Sequence, residues 1–281
     1  MAIPRHPLLG WIVCSLLFTV GLPAGTAHPA ASSEPVIATF VADDHQFRGP
    51  DQLAAGQTIL RLQNRGDEPH QLQLLKVTEG NTPADLAAAL QDFPAQIPAW
   101  AKHMGGPNAV GAGETSQASV YLTPGSYLLI CLIPGKGGLP HVAQGMLKTL
   151  HVMDQGPTSP SFRADYHMAM QDYEFVVVEP ITRGTHSFYV INRGSRPHQV
   201  SLVRLEPEAS VEQVLAAFGP MGHHVMPGKL VGGLSGLEPG ERGVFTAALT
   251  PGRYAMICLF PNPTAPESHA AKGMMMHFTV D

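Results

Sequence analysis

The chain has 281 residues, room for one large domain or two of ordinary size. With 44% hydrophobic and 14% charged residues it is not a disordered polyelectrolyte. Its formal charge of −5 comes from 17 basic and 22 acidic residues without a long block of one sign, so no basic patch is present to meet nucleic-acid phosphates.

The chain begins with what reads as an address. Arg5 and His6 precede an apolar run from Leu8 to Leu22, and the small residues Ala24-Gly25-Thr26-Ala27 follow, the layout of a secretory signal peptide over residues 1–27. Gly10 and Ser15 interrupt the run, which is short for a membrane span of about 20 apolar residues. An uncleaved anchor is the competing reading. Cys14 lies inside the run, not at its end, which argues against a lipoprotein. The expectation is a periplasmic or extracellular protein with no membrane span in the mature chain. Only Cys131 and Cys258 then remain of the three cysteines, either as one disulfide or as two protected thiols.

From residue 28 onward one pattern occurs twice at an offset of 127 or 128. Asn64-Arg65-Gly66 falls on Asn192-Arg193-Gly194, and Pro69-His70-Gln71 on Pro197-His198-Gln199. Leu122-Thr123-Pro124-Gly125 falls on Leu249-Thr250-Pro251-Gly252, and Tyr127–Leu132 on Tyr254–Leu259. His141-Val-Ala-Gln-Gly-Met146 falls on His269-Ala-Ala-Lys-Gly-Met274. The expected domains are residues 28–153 and 162–281, joined by a Gly/Pro/Ser linker at 154–161.

Within each copy, short segments rich in β-branched and aromatic residues read as strands between Gly/Pro turns. They are Thr58–Gln63, Gln71–Val77, Ser119–Leu122, Tyr127–Ile133 and Met146–Val152, then Ser187–Asn192, Gln199–Leu205, Val244–Leu249, Tyr254–Phe260 and Met274–Val280. One short helix interrupts each copy. Thr82-Pro83 opens the first, with Leu86, Leu90 and Phe93 on its face. Ser210 and Gln213 form a capping box on the second; Val211, Val214, Leu215 and Phe218 share its face, and Gly219-Pro220 ends it. About seven strands per copy predict an all-β chain of two tandem Greek-key β-sandwich domains, each with one inserted helix.

The chemistry sits in four residues that recur: His70, Cys131, His141 and Met146, then His198, Cys258, His269 and Met274. In each copy a His opens a strand about 60 residues before a Cys that ends one. Two imidazoles, a thiolate and a weak axial thioether form the ligand set of blue-copper electron-transfer sites. Any one of these residues alone would read as core packing or a solvated His. The set of four, occurring twice, is the signal. A Cys131–Cys258 disulfide is the structural competitor, and it would need equivalent positions of two domains within about 7 Å.

On these motifs each copy resembles a cupredoxin, the blue (type 1) copper family, over the whole mature chain. The resemblance implies one copper per domain, up to two. His70/His198 and His141/His269 would be the imidazoles, Cys131/Cys258 the thiolates and Met146/Met274 the axial thioethers. Small members of the family place the second His two to four residues after the Cys, whereas nine and ten residues intervene here. The segments Leu132–Pro140 and Leu259–Ser268 are Gly/Pro-rich and suit a folded-out hairpin. Copper nitrite reductases are similar in this respect.

The expected function is electron transfer with a redox partner protein. Copper storage, delivery or resistance alongside a copper-handling partner is the alternative; a metal-free module and a copper oxidoreductase rank lower. The enzymes of this family build their second copper centre on a His beside the type 1 Cys. Here Cys131 lies between Ile130 and Leu132, and Cys258 between Ile257 and Leu259. With no His-x-His pair either, the sequence reading is that the protein is not an enzyme. The remaining His and Met residues (His103-Met104, His167-Met168, Met170, Met221, His223-His224, Met226 and Met275-Met276-His277) do not repeat in register and are expected to be core or surface.

Overall fold

The computed structural model describes residues 1–2, 36–78, 80–91, 97–155, 159–218, 226–262 and 267–281. The expected leader lies almost entirely outside them, as do Phe93, Gly219, Pro220, Met221, His223, His224 and the middle of the linker. Pro35–Asp281 form one compact unit.

The first half contributes β1 (Val36–Asp43), β2 (Gln46–Arg48), β3 (Gln52–Ala54), β4 (Gly56–Asn64), β5 (Gln73–Val77), α1 (Pro83–Ala89), β6 (Ala101–His103), β7 (Thr115–Leu122), β8 (Gly125–Ile130) and β9 (Leu147–Met153). The second contributes β10 (Tyr166–Gln171), β11 (Glu174–Val177), β12 (Gly184–Asn192), β13 (His198–Leu205), α2 (Val211–Ala217), β14 (Gly228–Leu237), β15 (Arg242–Leu249), β16 (Gly252–Ile257) and β17 (Met275–Val280). The strict alternation of burial along β4 shows why it is a strand: every second residue, Leu60 and Leu62 among them, points into the core.

In each half two sheets close over a common apolar core, the Greek-key sandwich expected from the sequence. The first half sets Phe40, Leu60 and Leu62 of one sheet with Leu74, Tyr127, Leu129 and Leu150 of the other. The second half sets Phe188 and Val190 with Val200, Leu202, Tyr254 and Met256. Burying each such side chain is worth about 1.5–3 kcal/mol. The repeated Leu-Thr-Pro-Gly-x-Tyr motif is a corner. The Tyr127 hydroxyl donates to the Thr123 carbonyl at 2.8 Å and that of Tyr254 to the Thr250 carbonyl at 2.9 Å, so each ring is buried with its polar end satisfied.

The two halves share one sheet of eight strands, ordered β2-β1-β4-β7-β15-β12-β10-β11. β7 and β15 join antiparallel, with Val120, Ser119, Ala118 and Gln117 opposite Gly243, Val244, Phe245 and Thr246. The outer sheets stay separate, β3-β9-β8-β5-β6 in the first half and β14-β13-β16-β17 in the second. A second seam runs beneath, where bridges pair Met104 with Leu237, Pro107 with Leu234 and Val110 with Val231. Asn108, fully buried there, donates through Nδ2 to the Val200 carbonyl at 2.9 Å.

Candidate metal centres

Each centre begins with the repeated Asn-Arg-Gly. Asn64, at the end of β4, accepts the Gly66 N–H at 3.0 Å and donates to the carbonyls of Glu68 (2.7 Å) and Val110 (3.1 Å). Asn192 does the same with Gly194, Arg196 and Leu237. That side chain folds the following turn, and the turn delivers Pro69-His70 or Pro197-His198 to the core. A carboxylate then fixes the ring. The His70 Nε2–H meets Asp44 Oδ1 at 3.2 Å, and the His198 Nε2–H meets Asp172 Oδ1 at 2.8 Å. With Nε2 so engaged, Nδ1 is the nitrogen left to accept a metal.

The cysteines follow directly on β8 and β16, fully buried and unbridged. The disulfide alternative is therefore not formed. The Gln199 N–H points at Cys258 Sγ from 3.5 Å. Burial pushes both thiols up to about 12, against backbone N–H groups that favour the thiolate. Cys131 and Cys258 could each give up that proton to hold a cation, which would satisfy the buried sulfur.

After each cysteine the long loop folds back on itself as expected: Pro134 bridges Pro140, and Pro261 bridges Ser268. It returns at His141 or His269, 1% exposed, followed by a single 3-10 turn. Gly145 and Gly273 end those turns at φ 95° and 103°, a left-handed cap suited to glycine. The reversed chain brings the Met146 N–H to the His141 carbonyl at 2.9 Å and the Met274 N–H to the His269 carbonyl at 3.0 Å. This explains the four residues that separate His from Met. Both methionines are fully buried within the core.

The three donors of each site converge. Cys131 Sγ lies 3.8 Å from His70 Nδ1 and 3.4 Å from His141 Nδ1. Cys258 Sγ lies 3.8 Å from His198 Nδ1 and 3.6 Å from His269 Nδ1, and those two nitrogens are 3.0 Å apart. In each group the ligand atoms all lie within 4.8 Å of one another. Two imidazole nitrogens and a thiol sulfur facing one another in a buried space match the donor set of copper, and each group can hold one ion. Among the described residues, the other His side chains join neither group. Met168 and Met170 are core, His167 is exposed, and His103 is buried in β6 with burial pulling it down to about 4.

The sequence reading missed the carboxylates. Asp44 and Asp172 each stand 26 residues before the His they hold, a spacing the internal repeat already contains. It also missed a difference between the halves. His141 donates its Nε2–H to Glu68 at 2.8 Å, whereas the buried His269 Nε2 has no hydrogen-bond partner among the described residues, and its ring makes an edge-type contact with Tyr173. Burial and the neighbouring His198 pull His269 down to about 4.

The architecture is cupredoxin-like in both halves. No family model and no curated protein matches the chain. Among solved structures, auracyanin A, a blue copper protein from Chloroflexus aurantiacus, is 23% identical with a TM-score of 0.31, covering 43% of this chain and 100% of its own. A multicopper oxidase is 16% identical with a TM-score of 0.24, covering 87% of this chain and 88% of its own. A copper nitrite reductase from Nitrosomonas europaea is 13% identical with a TM-score of 0.27, covering 88% and 94%. The last two are enzymes, and this corrects the reading that the protein is not one. That reading rested on a single construction, a His beside the cysteine. Among the described residues no helix is long and apolar enough to cross a membrane.

Proposed function

We propose that this is an exported copper protein that exchanges electrons with a redox partner protein. One copper is held by His70, Cys131, His141 and Met146, and the other by His198, Cys258, His269 and Met274. The observation that carries the reading is the convergence, twice, of two imidazole nitrogens and a cysteine sulfur in a buried space. Bound there, copper supplies a one-electron couple, Cu(II)/Cu(I). The protein's part is rigidity. His70 and His198 are locked by carboxylates, the cysteines sit at strand ends, and His and Met are tied by one backbone bond, so the ligands stay nearly still when the ion's charge changes. Export rests on the leader-like start of the chain, and the partner is expected to be a protein because no nucleic-acid-binding charge is present.

Titration of the purified protein with Cu(II) tests this. Two equivalents per chain, an intense blue colour and a small-hyperfine EPR signal are expected. A colourless protein lacking that signal would overturn the electron-transfer reading.

A further inference from the structure

We infer that the two centres are built to unequal reduction potentials, the second higher, and that the residue just before Pro-His sets the difference. This rests on the copper reading above. The position is Glu68 in the first half and Arg196 in the second, each followed directly by the Pro-His that supplies a ligand. The Glu68 side chain is only 16% exposed. Its Oε2 accepts the His141 Nε2–H at 2.8 Å, and the Lys136 N–H lies 3.3 Å from each of its oxygens. The first site therefore has a carboxylate on each imidazole, Asp44 on His70 and Glu68 on His141.

Among the described residues the second site has one carboxylate on an imidazole, Asp172 on His198. At the equivalent position in the sequence the second half has Arg196, whose positive charge acts on both His198 and His269. Among the described residues His269 Nε2 has no acceptor, and its ring packs beside Tyr173, centroids 5.1 Å apart, and Phe260 at 6.3 Å. The remaining charges do not undo the contrast. Lys136 Nζ, 3.8 Å from Glu68, is 79% exposed and screened by solvent, and Lys272 adds a second positive charge 5.5 Å over the Tyr173 ring.

The physical argument is direct. A carboxylate on the far nitrogen makes an imidazole a more basic ligand, and its charge favours the higher-charged ion at low dielectric. An imidazole whose N–H has no acceptor, with a cationic residue nearby, favours the lower-charged ion. The first centre should then hold Cu(II) more tightly and the second Cu(I).

The test uses Cys131→Ser and Cys258→Ser, each leaving one intact centre, with potentials read by optical redox titration. The second centre, seen in Cys131→Ser, is expected at least tenfold more reduced at a common potential, 59 mV for one electron. Glu68→Gln in the Cys258→Ser background should raise the first potential, and Arg196→Glu in the Cys131→Ser background should lower the second. Circular dichroism of each variant confirms the fold, and the isosteric Glu68→Gln remains decisive if Arg196→Glu fails to fold. Equal potentials, or a gap unchanged by Glu68→Gln, would overturn this inference alone. Failure of both single-site variants to bind copper would overturn the copper reading as well.

Discussion

Gly66 and Gly194 lack a side chain because a carboxylate occupies the space. A Cβ on Gly66 would sit 2.1 Å from Asp44 Oδ1 and 2.8 Å from His70 Nε2; on Gly194 it would sit 2.5 Å from Asp172 Oδ1 and 2.7 Å from His198 Nε2. Asp44 cannot swing away cheaply, since the N–H groups of Asp67 and Glu68 also bind it at 2.8 and 3.2 Å. Gly66→Ala is therefore expected to cost about 1–3 kcal/mol by overpacking and to weaken copper binding at the first site only. Thermal melts and metal titration check this, and unchanged binding at the first site would contradict the proposed role of Asp44. The two His and the Cys that converge in each half were legible in the sequence because metal chemistry restricts residue types at fixed offsets. The groups that orient them were not: an Asp or Asn in a loop looks the same whether it faces water or a buried imidazole, and only its recurrence 26 residues before each His marks it.

At the scale of single elements, both helices start on reciprocal caps. Thr82 Oγ1 accepts the Asp85 N–H while Asp85 returns a bond to the Thr82 N–H, and Ser210 and Gln213 repeat the exchange. The second box was readable as Ser-x-x-Gln; the first was noticed only for its proline, because Asp at the third helical position is a less familiar partner than Glu or Gln. Thr82→Ala and Ser210→Ala should each cost about 1 kcal/mol. For a chain of this size that is a fall in melting temperature of roughly 2–4 °C, with copper binding untouched. The motif-bearing strands were found where β-branched and aromatic residues run between Gly/Pro turns. β6 and β14 were not, since β14 carries Gly228, Gly232, Gly233 and Gly236, residues of low strand propensity. The β14 glycines serve packing. A Cβ on Gly233 would lie 2.0 Å from the Val200 carbonyl, a contact with no signature in a sequence read one segment at a time.

For the whole molecule, the sheet shared by β7 and β15 makes each half depend on the other. Separated, residues 28–153 and 162–281 would each bare an edge strand and a second seam, surfaces that invite pairing with another chain. Size-exclusion chromatography of the halves produced separately should show association, not monomers; two stable monomers would contradict this dependence. The two seams also obey a hidden symmetry. Ala118 and Phe245 occupy equivalent positions in the two halves and face each other, and Pro107 and Leu234 do the same in the second seam. This is the geometry of a two-fold dimer whose subunits lie on one chain. At the axis the two copies have grown apart in size, the smallest apolar side chain that carries a Cβ meeting one of the largest. Two first halves would set alanine against alanine and leave a void, while two second halves would force phenylalanine onto phenylalanine. Each half is thereby fitted to its unlike sibling, so a surface that would otherwise recognise its own copy instead prefers a mixed pair.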